Sequence, residues 1–183
     1  MKKEGEIRIP SGCAISAIIS ENGEKMTGET IIKSMIPMHD RSNGLGGGFA
    51  AYGIYPEYKE LYALHIFYND NEDRVECERF LKDSFEIVKA ENIPIRKIPE
   101  ITDVPYIWRY FVAPLSSVLS RLQLDEKEYV ARTVMHINTD LNGAYVFSSG
   151  KNMGTFKAVG FPEDVGRFYR LEEYEGYSWT AHG

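Results

Sequence analysis

Leu61-Tyr62-Ala63-Leu64-His65-Ile66-Phe67-Tyr68, followed at once by Asn69-Asp70-Asn71, opens the segment that decides the fold. The run is apolar and aromatic, and it is cut off by turn residues before it is long enough for a helix, so it reads as a strand. From about Asp73 to Glu91, Cys77, Leu81, Phe85 and Val88 recur at helical spacing and share one face, which predicts a helix. Strands are expected next around Ile93 to Ile98 and Ile107 to Val112. Asp125 and Glu128 have capping-box spacing ahead of a helix that buries Val130, Val134 and Ile137. Ala144 to Ser148 closes the segment as a strand. Residues 61–148 thus read β-α-β-β-α-β, the order of a ferredoxin-like split unit, taken as an inserted lobe.

The flanks carry the rest of the fold. Cys13 to Ile19 is small and β-branched and reads as a buried strand, ended by the turn Glu21-Asn22-Gly23-Glu24. Thr27 is placed to cap a helix with Ile31, Met35 and Met38 on one face, which Pro37 should end or bend. Ser42 to Gly48 is a glycine-rich loop leading into a strand from Phe49 to Tyr55. After the lobe, a strand pair is expected at Tyr145–Ser148 and Thr155–Val159, turning at Gly150 to Gly154. Pro162 opens a short helix, and Tyr177 to Ala181 forms a last strand. An unpaired strand of large aromatic residues that stops at His182-Gly183 is expected to continue, so the sequence reads as truncated.

Composition bounds the function. The 183 residues, 43% hydrophobic and 26% charged, are those of an ordinary globular chain with a sizeable core. No apolar run approaches the length of a membrane span, and no apolar region backs the charged start, so neither a membrane nor a secretory signal is expected. A net charge of −6, with 21 dispersed Lys and Arg, argues against a nucleic-acid partner. Two cysteines without C-x-x-C spacing point to a reducing cytoplasm. His39, His65, His136 and His182 lack ligand spacing, so no metal is expected. The loop from Asn43 to Gly48 lacks the Gly-Lys-Ser/Thr of a phosphate loop. Cys77 lies on an apolar helix face and reads as core.

Five blocks then carry a resemblance. They are Cys13-Ala14-Ile15; Met38-His39-Asp40-Arg41; Ser148-Ser149-Gly150-Lys151-Asn152-Met153-Gly154; Lys157-Ala158-Val159-Gly160-Phe161-Pro162; and Gly176-Tyr177-Ser178-Trp179-Thr180-Ala181-His182. In order and spacing they resemble class-II glutamine amidotransferases, particularly the glutaminase domain or subunit of glutamate synthase, an N-terminal-nucleophile hydrolase. The resemblance implies an α+β fold: a partial four-layer α-β-β-α core, interrupted by the ferredoxin-like lobe. It implies a leader over residues 1–12 cleaved after Gly12, and over 13–183 the N-terminal part of the amidotransferase domain. It makes Cys13 the nucleophile, puts Arg41 and His182 at the substrate pocket, and names L-glutamine as substrate. The ammonia would pass to a glutamate synthase-type partner that holds the flavin and iron–sulfur centres, this chain carrying no cofactor. Two departures stand out. Cys-Ala replaces the family's Cys-Gly, and the family's later Arg, Asn-Gly and Asp fall beyond Gly183. The alternative reading is a non-catalytic remnant or a docking or regulatory module.

The chemistry proposed for Cys13 is specific. A thiol becomes a good nucleophile when a base accepts its proton, and an N-terminal cysteine carries that base as its own α-amine. Such an amine, with an ordinary pKa of about 7.7–8.0, is partly neutral near pH 7. While Gly12 stays attached, the nitrogen is an amide and no base. Gly12, with no side chain, tolerates the strained backbone of an N-to-S acyl shift. The alternatives are a small buried strand residue at 13, an exposed turn residue at Arg41 and an incidental His182.

Overall fold

A computed structural model describes residues 12–183; the expected leader, apart from Gly12, lies outside the described residues. In chain order the elements are β1 (Ile15–Ile19), β2 (Met26–Thr27), α1 (Glu29–Met35), β3 (Gly47–Tyr52), β4 (Tyr62–Tyr68), α2 (Asn71–Ser84), β5 (Phe85–Asn92) and β6 (Tyr106–Pro114). They continue with α3 (Ser116–Leu122), α4 (Glu126–Asp140), β7 (Ala144–Lys151), β8 (Met153–Ala158), α5 (Pro162–Phe168), β9 (Glu175–Gly176) and β10 (Ser178–His182). A 3-10 helix, Ile36–Arg41, follows α1 directly. The pairs β1–β10, β2–β9, β4–β6, β4–β7 and β5–β6 are antiparallel, and helices pack on sheets of this kind, so the chain is α+β.

The residues divide into two compact units. One comprises Tyr52–Pro94 and Asp103–Thr155, wider than the 61–148 read from the sequence and broken at Ile95–Thr102. Its sheet has the order β5-β6-β4-β7, so two β-α-β halves interleave and every neighbour runs antiparallel. Leu64, Ile66, Tyr110 and Val112 from the sheet pack with Cys77, Leu81, Val130 and Ile137 from α2 and α4. Both helices start on an aspartate. Asp70 accepts from the Glu72 and Asp73 amides at 2.8 and 3.0 Å, and Asp125 accepts from the Glu128 amide at 2.8 Å.

The expected helix through Glu91 is a correction. The helix ends at Ser84, and Phe85–Asn92 is strand, paired with β6 from Phe85↔Pro114 to Asn92↔Trp108. Phe85 and Ile87 alternate into the core, and their helical spacing from Cys77 and Leu81 was a coincidence of two periods. Val88 is the extra residue where the register slips, and it is 51% exposed rather than buried on a helix face. The strand expected at Ile93 to Ile98 is irregular chain: β5 already pairs β6 from Trp108 to Pro114, and the Ile93 amide takes the next carbonyl, Ile107, at 3.1 Å.

The other unit comprises the described residues up to Ala51, with Ile95–Thr102 and Phe156–Gly183. A four-stranded sheet in the order β1-β10-β3-β8 lies here, with a two-stranded ribbon of β2 and β9. Helices α1 and α5 pack together, and α1 lies on β1 and β10. Phe49, Ala51, Phe156, Trp179 and Ala181 fill the covered face with Ile31, Met35, Val165 and Phe168. The last strand is therefore interior, between β1 and β3, and not an unpaired end.

Three further expectations change. The Cys13-to-Ile19 strand is only half covered. Ser16 faces α1, its hydroxyl bonded to Ser34 at 2.7 Å, whereas Ile15 and Ile19 are 70% and 71% exposed. Thr27 is paired with Glu175 instead of capping α1, whose first turn follows Gly28, and Pro37 sits inside the 3-10 helix. The expected β7–β8 hairpin does not form; β7 pairs with β4 and β8 neighbours β3. One residue, Asn152 at φ 51°, separates them, fewer than the two a tight hairpin turn needs, so the chain changes sheets.

Gly28 illustrates how tightly the ribbon closes. Its amide donates to the Leu171 and Tyr174 carbonyls at 3.2 and 3.3 Å, and a Cβ there would sit 2.8 Å from the Leu171 carbonyl carbon. Gly28→Ala is therefore expected to cost about 2–3 kcal/mol despite alanine's better helix propensity, read as a lowered urea midpoint. No helix among the described residues is long and apolar enough to cross a membrane.

Candidate functional site

Cys13 stands at the mouth of edge strand β1 and is exposed. Ala14 locks the strand behind it, exchanging backbone hydrogen bonds with Gly183 at 2.8 and 2.9 Å. Strand alternation sets Cys13 on the side of Ile15, Ala17 and Ile19, the exposed residues of β1. His182 is the register partner of Ile15 and is exposed, so it shares that face. Thiol and imidazole thus lie on one side of the same two-stranded edge, one step apart diagonally.

Gly12 joins Arg41 to this locus. A Cβ on Gly12 would lie 3.0 Å from the Arg41 carbonyl oxygen, so the backbone before the cysteine runs hard against the end of the 3-10 helix. Arg41 is the last residue of that helix, and its side chain is exposed. The glycine-rich loop begins here. The Ser42 amide donates to the His39 carbonyl at 3.0 Å, and the Leu45 amide to Asn43 Oδ1 at 3.0 Å. Gly44 has φ 70°, and its Cβ position is 3.0–3.3 Å from the Phe161 ring, so both conformation and space require glycine. The structure brings Gly12, Cys13 and the Arg41 backbone together and places His182 on the adjoining face.

A second pair beside this locus was not found from the sequence. His39 Nδ1 and Glu163 Oε1 are 2.5 Å apart, and the imidazole stacks on Phe161 at 3.9 Å and 24°. The Glu163 hydrogen bond raises the His39 pKa above 6.5 against the opposing effect of burial, and the charges of Glu163, Asp40 and Asp164 add to it. The partners are 124 positions apart in the chain, and no spacing rule links them.

The other unit holds a buried polar chain built on His65, which is 0% exposed. Its Nδ1 lies 2.9 Å from the Thr155 carbonyl, which can only accept, so Nδ1 carries the proton and Nε2 accepts from the Tyr55 hydroxyl at 2.9 Å. Arg109 Nη1 donates to that hydroxyl at 3.0 Å, and Arg109 pairs with Glu91, which also binds Lys89 at 2.8 Å. Burial pushes the imidazole pKa down to about 3, so this histidine is neutral near pH 7 and serves structure. Cys77 is a core thiol pushed up to about 11 by burial. Among the described residues no group of three or more His, Cys, Asp or Glu is placed to hold a metal ion.

No family model matches the chain. It is 49% identical over 173 residues to an uncharacterized protein of Archaeoglobus fulgidus, a match covering 93% of this chain and 46% of that protein. The chain thus spans about half the length of the relative it matches.

Proposed function

We propose that the chain carries the nucleophile-bearing part of a class-II glutamine amidotransferase, in which Cys13, freed at its amino group by cleavage after Gly12, hydrolyses glutamine. The observation that carries this reading is the exposed Cys13 at the start of an edge strand, against the Arg41 turn and on the His182 face. The five sequence blocks of the resemblance support it independently.

The chemistry follows from the groups present. The Cys13 amine takes the thiol proton, and sulfur attacks the side-chain amide carbon of glutamine. The tetrahedral intermediate collapses by breaking its C–N bond, and the protonated amine returns its proton to the departing ammonia. Water, deprotonated by the same amine, then cleaves the thioester to give glutamate and restore the thiol. Arg41 and His182 help shape the substrate pocket. The ammonia goes to a glutamate synthase-type partner in a reducing cytoplasm, which suits two free cysteines.

The finer fold reading belongs to the same proposal. The uncovered side of β1, with Ile15, Ala17 and Ile19 exposed, suits a second sheet layer completing an α-β-β-α core. The β5-β6-β4-β7 sheet, with its helices, is then the inserted ferredoxin-like lobe.

Mass spectrometry tests the claim. A preparation treated with a glutamine-analogue electrophile should show a chain starting at Cys13 with one adduct there, and Cys13→Ala should lower glutamine hydrolysis by about 1000-fold or more. Cys77→Ala, in the core of the other unit, should leave the adduct unchanged. An intact leader without labelling, or hydrolysis that survives Cys13→Ala, defeats the reading.

A further inference from the structure

We propose that His39 and Glu163 form a pH-sensitive latch that holds the glycine-rich loop 42–46 against the end of the 3-10 helix and loosens it as the imidazole loses its proton. The inference goes beyond the amidotransferase reading and stands whether or not Cys13 is a nucleophile.

The latch joins the 3-10 helix Ile36–Arg41 to the first turn of α5 through the 2.5 Å contact between His39 Nδ1 and Glu163 Oε1. The imidazole lies flat on Phe161, the ring 3.0–3.3 Å from where a Cβ on Gly44 would stand. The loop is thus held from two sides: by Phe161 beneath it, and by the His39 carbonyl that accepts from the Ser42 amide.

Glu163 depends on this partner. Its side chain is only 16% exposed, and its Oε2 is buried without a hydrogen bond among the described residues. The charges facing His39 from both elements are acidic: Glu163 and Asp164 on α5, and Asp40 beside it. The cation of that helix, Arg167, is bound to Asp164 and lies 3.6 Å from Glu100. Deprotonation of His39 therefore leaves a mostly buried carboxylate without its cation. A neutral imidazole still donates through Nδ1, so the contact weakens rather than vanishes. The ring is 48% exposed, which gives solvent direct access to the proton.

The sign is fixed by the direction of the shift. The His39 pKa is raised by Glu163, so the latch is closed below the ordinary value of 6.5 and opens as pH rises through the folded value. Hydrogen exchange of the full chain between pH 6 and pH 9, corrected for intrinsic exchange, reads this at the Ser42 and Leu45 amides. Opening there should grow about three- to tenfold across the His39 midpoint, with no such step in α2. Glu163→Gln keeps an acceptor without the charge and should remove the step, with the His39 midpoint lower than in wild type by NMR. Should that variant fail to fold, His39→Gln, a neutral donor at every pH, should exchange at a pH-independent rate close to wild type above the midpoint. A flat wild-type profile, or a step that persists in either variant, overturns the proposal.

Discussion

Acidifying the protein from pH 6.5 towards pH 3 should destabilise the β-α-β-β-α-β unit by about 1.4 kcal/mol for each pH unit through His65 alone. The unfolded chain binds a proton at this imidazole near pH 6.5, whereas burial delays binding in the folded state to about 3. Between those values the unfolded state holds more protons, so the stability His65 contributes is complete above 6.5 and falls as acid is added. The buried site disfavours a second proton on the ring. Nε2 already takes the Tyr55 hydrogen, and Arg109 stands behind that hydroxyl with a positive charge. Glu91 acts in the same sense at lower pH. Burial alone would raise its pKa, but the Lys89 and Arg109 hydrogen bonds together outweigh it and hold the carboxyl low. Urea midpoints across this range measure the slope. His65→Gln, which can donate to Thr155 and accept from Tyr55 without titrating, should cost about 1–2 kcal/mol at pH 7 and flatten the profile above pH 4.5. An equally steep profile in that variant would assign the acid sensitivity elsewhere.

How much of this was legible beforehand depends on the range of the interaction that decides each feature. The α4 start at Asp125 and the strand Tyr62–Tyr68 are set by neighbours a few residues away, and the sequence reading finds them, whereas it begins α2 near Asp73 and leaves its cap, Asp70, in the turn. The fate of Phe85–Asn92 was not local. Cys77, Leu81, Phe85 and Val88 satisfy a helical period, yet pairing with β6 along that stretch outweighs the helical preference. The half-covered state of β1 was likewise hidden, because small β-branched residues suit a strand buried on one face or on two. At the candidate site, Gly12, Cys13, Arg41 and His182 were named by resemblance, and their grouping rests on the Ala14–Gly183 bonds and the Gly12–Arg41 approach. Glu163 follows the Pro162 that was read as opening a short helix, and no role was read for it. Its partner lies 124 positions away, and nothing in either segment encodes the meeting.

Trp179→Ala should cost about 3–5 kcal/mol and is the severest single substitution expected in the unit that carries Cys13. Trp179 is 1% exposed and sits in β10, the strand flanked by β1 and β3. Truncation empties a space that neighbouring strands, fixed by their ladders, cannot collapse to fill. The indole does a second job. Its Nε1 donates to the Met26 carbonyl at 3.0 Å, tying the β2–β9 ribbon to the four-stranded sheet. Trp179→Phe separates the two contributions, since it keeps much of the apolar volume and leaves the carbonyl without that donor, at an expected cost of about 1–3 kcal/mol. Tyr177→Ala, a neighbour at 39% exposure, should cost less than either. The loss should also reach the candidate site, because Ile18 of β1 is registered opposite Trp179 and the same strand pair holds Ala14 against Gly183. Cys13 alkylation monitored beside thermal unfolding gives the check. The thiol environment should change in Trp179→Ala below the unfolding midpoint and stay as in wild type in Tyr177→Ala. Identical alkylation in both variants would mean that the edge carrying Cys13 holds its shape independently of the packing beneath it.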